Sequence, residues 1–535
     1  MFVNHLLFPQ KGSGNDFRTS SRSSPSEGHN TFPSALGPIG RQQTVLAERS
    51  VASVKIRGRF HGAPFGLGDA MLSALMSQRS VGIWSWRNLW AALAILFHPA
   101  VAGRCATSLP APRMTYLDNG DVRIGMDLAL GGAVTFISGK DHPGNLINSA
   151  DLGRQIQMSH YSGPWPYELG DKKPHPAWVG LGWNPIQTGD CHLNPSEVVE
   201  HRNDGKELYI RCLPMQWPLD NVRGDCVFET WTTLDGPLIH MRFRCTTRRT
   251  DRTQYRPCPQ ELPAVYTISK LSRLMSYTGD QPFTGAPLTH VANDWHKPWP
   301  WTRFLASEGW AALVDDDGWG LGVFKADGLE FHGGIHGDAR SDNPKHGSTA
   351  YVAPIHHENF DHNIVYEHRT KFLVGRLEEM RRRFNAMADR TPPVWRFQND
   401  RQHWTVRDAT DNGFPLSGAW TIRIGERRAR LESGGRSWRA EEASSMRLRI
   451  ASTGGAMTAR IYWKRLGDEP FDRERSMPLE LAGDGKVRTQ VLQLGSSPSY
   501  SGLITGLAIE LGPQSPSGQT MTLHSIELMR AKHRQ

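Results

Sequence analysis

At 535 residues the chain is long enough for two or three domains, each able to bury a core. Its net charge of +9 is concentrated at the front, where residues 1–110 hold eleven Lys and Arg against four Asp and Glu; the rest, 51 against 49, is nearly neutral. A body without a one-signed face has no built-in attraction to polyphosphate, so nucleic acid is excluded as an expected partner.

Residues 1–75 are rich in Ser, Gly, Pro and Arg with little apolar periodicity, and read as a disordered extension or as the product of a start codon placed too early. Residues 76–106 then read "MSQRSVGIWSWRNLWAALAILFHPAVAGRCA". Arg79 and Arg87, the apolar run Leu89 to Phe97 and the small residues Ala100-Val101-Ala102 form the pattern of a secretory signal peptide. This predicts a secreted or periplasmic protein whose mature chain begins near Gly103 to Thr107, with no stable membrane insertion after cleavage, because the apolar run is too short to span a bilayer. Cys191, Cys212, Cys226, Cys245 and Cys258 crowd into one stretch of the body, and one or two disulfides with a leftover thiol would fit export. No Cys-x-x-Cys pair exists to hold zinc through thiolates.

From residue 111 to 375 the pattern is β. Val122, Ile124, Met126 and Leu128 alternate with polar or small residues, and Gly131-Gly132 turns the chain into "AVTFIS". Asp235-Gly236 separates two strand-like runs, of which the second points Ile239, Met241, Phe243 and Cys245 one way and His240, Arg242 and Arg244 the other. "WAALVDDDGWGLGVF" predicts a further hairpin. The one helix expected is "GRLEEMRRRFNAMADR", with Leu377, Met380, Phe384 and Met387 on one face; it reads as a linker over residues 376–393, ended by Thr391-Pro392-Pro393. The absence of βαβ alternation excludes a dinucleotide fold.

Residues 394–535 change character: Trp395, Trp404, Trp420, Trp438 and Trp463 sit among short strands and Gly-rich turns, as in a compact β-sandwich. The stretch "DGKVRTQVLQLGSSPSYSGLITGLAIELGP" resembles the C-terminal, jelly-roll-like, carbohydrate-binding sandwiches appended to many carbohydrate-active enzymes. These tryptophans are read first as sandwich core. In the larger module the order "LALGGAVTFIS", "DLGRQIQ", "ETWTTLDGPLIHMRFRCTTRR", "HNIVYEHRTKFLVG" is similar to that of the galactose-mutarotase-like supersandwich proteins. The resemblance implies an all-β chain, a β-supersandwich followed by a smaller sandwich, with a sheet face that accepts sugars.

The segment "NLINSADLGRQIQMSHYSGP", residues 145–164, is dense in hydrogen-bonding groups. Arg154 offers a planar donor fork, Asn148, Gln155 and Gln157 offer donors and acceptors, and Tyr161 a hydroxyl on a flat ring, which suits sugar hydroxyls and C–H faces. "GLGWNPIQTGDCHLNPSE" adds Trp183, Asn184, Gln187, Asp190 and His192, and "DWHKPWPWTRF" adds Trp295, Trp299 and Trp301. The competing reading has Asp151 and Arg154 pairing to brace a turn above packed tryptophans.

Three chemistries compete. A glycoside hydrolase needs two carboxyls, and Glu261, in the apolar setting "QELPAV", with Asp190, in a polar loop, form the expected pair. A polysaccharide lyase would use His160, Tyr161 and Arg154 as base, proton donor and uronate partner. A metal site would draw on "HHENFDHNIVYEH", where a strand puts His356 and Glu358 on one face; such residues are read as ordinary strand surface, and no metal or cofactor is expected. The expected function is cleavage of a polysaccharide or oligosaccharide by a carboxylate pair, with a lyase and a non-enzymatic glycan-binding protein as alternatives.

Overall fold

The structure, a computed structural model, describes residues 109–294, 301–425, 427–511 and 518–530. The expected N-terminal extension and signal peptide, and Trp295 and Trp299, lie outside those residues.

Period-two alternation builds the first module. In the strand Val122–Asp127, for example, Arg123 faces solvent while Ile124 and Met126 are fully buried. A ten-stranded sheet has as its path β1 (Met114–Asp118), β2 (Val122–Asp127), β3 (Ala133–Gly139), β4 (Ile156–Ser159), β5 (Cys258–Ile268), β6 (Thr302–Leu305), β7 (Glu330–His336) and β8 (Thr349–Glu358). The spatial order is β1-β2-β3-β4-β5-β8-β7-β6, antiparallel throughout, with the short strands Pro185–Ile186 and Met215–Gln216 attached beside β4. A nine-stranded second sheet contains the predicted hairpins: Cys226–Asp235 pairs with Leu238–Thr247, and Trp310–Val314 with Trp319–Phe324. Between the sheets Met126, Met158, Val265, Phe331 and Val352 of the first meet Phe228, Ile239, Met241, Phe243 and Phe372 of the second. The module is an antiparallel double-sheet sandwich, so the all-β reading holds.

The helix α1 (Leu377–Met387) is present, but not as a free-standing linker. Leu377, Met380 and Phe384 pack on the second sheet beside Trp310 and Phe324, the rings of Phe324 and Phe384 stacking at 5.3 Å. Gly322 makes this contact possible, since a Cβ there would stand 2.7 Å from the Phe384 ring.

The second module begins with the strand Val394–Arg396 and comprises two six-stranded antiparallel sheets. Trp395, Trp404, Trp420, Trp438 and Trp463 all belong to its core, none more than 5% exposed. A buried ion pair ties it to the first module: Arg401 donates to Asp361 at 2.6 Å and to Asp411 at 2.6 Å. Cys191, Cys212, Cys226, Cys245 and Cys258 are all free thiols, so the disulfides expected from their crowding do not form among them.

Candidate functional site

The polar density of residues 145–164 services the backbone. This stretch enters and leaves the sheet irregularly, with Gln155 at φ 77°, and the carbonyls and amides it cannot pair in a ladder need other partners. Arg154, 5% exposed, donates to the carbonyl of Gly347 at 2.9 Å and pairs with Asp151 at 3.1 Å. Gln155 donates to the Asp151 carbonyl at 2.7 Å, and Gln157 to the carbonyls of Arg154 at 2.6 Å and Leu152 at 3.0 Å. Gln187 accepts from the Met158 amide and donates to the Gly131 carbonyl, both at 3.1 Å. Asn184 donates to the His160 carbonyl at 2.9 Å, and Trp183, wholly buried, donates its indole N–H to Asp225 at 2.6 Å. These six residues, expected to hold substrate, stand inside the fold as latches; the bracing role of the Asp151 and Arg154 pair is the one seen. The amides signalled an irregular backbone as clearly as a ligand, and sequence alone offers no way to separate the two.

Asp190 is occupied in the same way. One carboxylate oxygen accepts the amides of His192 and Asn194, and the other the side chain of Asn194 and the amide of Asn221, at 2.8 to 3.0 Å. Burial raises its pKa while these four donors oppose the rise.

His160 and Tyr161 follow β4 in extended chain, where neighbours point to opposite faces. The His160 ring is wholly buried, stacked on Phe360 at 5.1 Å and held by Gln260 at 3.3 Å, and its Nε2 has no hydrogen-bond partner. Burial lowers its pKa to about 4, the Gln260 contact opposing. Tyr161 reaches the other side of the sheet, so these two residues do not share a site, and neither lies with Arg154 in a uronate pocket.

On that other face the structure gathers a different set. Register places Glu261 opposite Ser159 on one side and Ile355 on the other; further along, beyond the irregularity at Glu261–Val265, Tyr266 faces Tyr351. A β-bulge between Glu261 and Val265 turns Glu261 to the outer side, where Ala264, Tyr266, Tyr351, Ala353 and Ile355 form an apolar patch with Trp301 packed against it. The Trp301 ring stacks on Tyr351 at 4.8 Å. Glu261 Oε2 accepts the Tyr161 hydroxyl at 2.7 Å and Oε1 accepts the Tyr351 hydroxyl, while Ser159 donates to the Tyr161 oxygen at 2.9 Å. Burial, and next the Glu261 charge, push both tyrosine pKa values well above the ordinary range, so both remain donors. Glu261, Tyr161 and Trp301 stay partly exposed over this floor of small and apolar side chains.

The same face carries His332 and Glu330 on β7, the latter opposite Ile355. Burial works against a charge on Glu330, yet hydrogen bonds from His332, His357 and Arg303 hold its pKa well below the usual carboxylate range. Tyr351, Ala353, His332 and Glu330 were not singled out from sequence. Alternation in "TAYVAPIHHE" and "EFHGGIH" shows which residues share a face, but not which strands become neighbours. Trp299 lies outside the described residues.

No family model matches the chain, and no curated protein does. Solved structures that match include a galactose mutarotase-like protein from Lactobacillus casei (9% identity, TM-score 0.31, 49% of this chain and 100% of that one). A galactose mutarotase related enzyme from Lactobacillus acidophilus matches at 11% identity and TM-score 0.32, over 49% of this chain and 97% of that one. A low-affinity xylan binding module from Roseburia intestinalis matches at 12% identity and TM-score 0.20, over 26% of this chain and 94% of that one. Likenesses of this strength carry no functional argument, which rests on the residues themselves. Among the described residues no helix is long and apolar enough to cross a membrane.

Proposed function

We propose that the protein is a carbohydrate-active enzyme that cleaves a glycan at the Glu261 face, with Glu261 exchanging a proton with the substrate. One observation carries this reading: a partly exposed carboxylate is held by two tyrosine hydroxyls over an apolar floor, beside the stacked Trp301. Such a setting offers a sugar ring an aromatic surface for its C–H groups and a positioned carboxylate for its hydroxyls. Of the two outcomes, hydrolysis and elimination, hydrolysis fits better. The tyrosines hold their protons too firmly to act as a base, and His160 is on the far side of the sheet. A hydrolase needs a second carboxyl, and Glu330, two strands from Glu261 on the same face and therefore about 10 Å away along the sheet, stays ionised as a base or nucleophile must.

A second reading, glycan recognition without turnover, is favoured by the crowding of the other carboxylates: Asp190 by four donors, Glu330 by three basic partners. Incubation with a polysaccharide panel and analysis of products separates the readings. New reducing ends without near-ultraviolet absorbance mean hydrolysis, unsaturated uronates mean elimination, and binding without product means recognition. We also propose export, on the strength of residues 76–106; an intact chain starting at Met1 and held in the cytosol would overturn that.

A further inference from the structure

At the junction of the two modules, remote in sequence from Glu261, four side chains converge: Asp327, His356 and Glu358 of the first module and His403 of the second. Each imidazole has one nitrogen committed. His356 Nε2 lies 2.9 Å from the Asp327 carbonyl oxygen, and His403 Nε2 lies 3.2 Å from the Asp327 carboxylate. Both neighbours are acceptors, so both Nε2 atoms carry hydrogen, and in the neutral rings each Nδ1 keeps its lone pair. Those two Nδ1 atoms face each other at 3.1 Å, with Glu358 Oε1 at 2.6 Å from one and 4.0 Å from the other. Three potential donors this close are held either by a proton on His403 Nδ1, shared with Glu358, or by a metal ion that all three meet.

We propose that His356, His403 and Glu358 bind one divalent transition-metal ion. Edges of 2.6, 3.1 and 4.0 Å describe a nearly right-angled triangle. The middle of its 4.0 Å edge stands about 2 Å from every corner, the length of a zinc bond to imidazole nitrogen or carboxylate oxygen. A single proton can bridge only two of the three atoms at a time. Asp327 acts one layer out: it receives the far N–H of both rings and fixes their orientation, as carboxylates and carbonyls behind metal-binding histidines do. Lys325, buried beside Asp327, neutralises that carboxylate and leaves Glu358 to balance the ion. Gly435 comes in from the second module at φ 83°, and a Cβ there would stand 2.6 Å from the Asp327 carbonyl and 3.2 Å from His356 Nε2, so this close approach requires glycine. A cleft of about 360 Å³, lined by Glu358, Tyr366, Arg401 and His403 among others, reaches the cluster and provides an entry path and room for further ligands. Two nitrogens and one carboxylate oxygen suit zinc, cobalt or iron rather than magnesium or calcium. With ligands from both modules, the ion would also join them.

Without an ion, burial disfavours a charge on His403, but Glu358 and Asp327 on either side raise its pKa to about 10; the ion would displace that proton. The two states are separated by titrating the chelator-stripped, full-length protein with Co²⁺ and with Zn²⁺. The expected result is one equivalent of metal per chain, a visible cobalt absorption band, and X-ray absorption of the zinc form showing two imidazoles and oxygen at about 2.0 to 2.1 Å. In His403→Gln and Glu358→Gln proteins that retain the native circular dichroism, affinity should fall a hundredfold or more. X-ray absorption of the unmutated protein decides the matter if neither variant folds. Lack of saturable uptake, a zinc environment without two imidazoles, or unchanged affinity in a folded variant would overturn the site and leave His403 as a proton-bearing latch between the modules.

Discussion

The Tyr161 hydroxyl donates to Glu261 Oε2 at 2.7 Å, although 100 positions separate them in the chain. The contact exists because β4 and β5 are neighbours in the first sheet, with Ser159 opposite Glu261. It defines the face on which chemistry is proposed, and it makes Glu261 the first residue to test.

Glu261→Gln keeps the size of the side chain and an oxygen for the tyrosines but removes the carboxylate and with it the capacity to exchange a proton with substrate. Turnover should drop on the order of a hundredfold or more, with the melting temperature nearly unchanged. Undiminished product release by a folded Glu261→Gln protein would remove this residue from the chemistry.

Trp301→Ala should weaken substrate binding more than it slows the bound substrate. Loss of an aromatic surface typically costs about 1 to 2 kcal/mol, so KM should rise roughly tenfold with kcat retained. Steady-state kinetics on the best substrate of the panel checks the split.

Arg154→Ala should act on folding. The change leaves Asp151 and the Gly347 carbonyl without their donor, inside a region where Arg154 itself is 5% exposed. A loss of about 2 to 4 kcal/mol by denaturant titration is expected, while the protein that remains folded keeps its KM. A large KM effect with unchanged stability would restore the substrate-binding role expected from sequence.

His160 has a folded pKa of about 4 because it is wholly buried, against 6.5 for the exposed ring. The unfolded chain therefore binds the extra proton first as pH falls. The neutral ring's full share of stability is present above pH 6.5 and is lost progressively down to about pH 4, by about 3 kcal/mol in all. Denaturant titrations from pH 7 to pH 4 should show a shallower decline in His160→Phe than in the unmutated protein. Parallel declines would mean that burial does not hold this ring neutral.

By itself the sequence determined the class of structure. Alternation in Val122–Asp127, Cys226–Asp235 and Leu238–Thr247, and turns such as Asp235-Gly236, specify strands, faces and hairpins, because these are local properties of period and backbone angle. The apolar spacing of Leu377, Met380 and Phe384 likewise specified a helix, although only packing showed that it covers the second sheet. Glu261 and Tyr161 were legible as reactive groups, and His356 with Glu358 as one strand face. Which groups meet was decided by tertiary structure. The order β4-β5-β8-β7 sets Glu261 between Tyr161 and Tyr351, and the docking of the second module brings His403 to His356. Burial then decided what the remaining polar residues do: once Arg154, Gln155, Gln157 and Asp190 were enclosed, the backbone groups around them, rather than a ligand, became their hydrogen-bond partners.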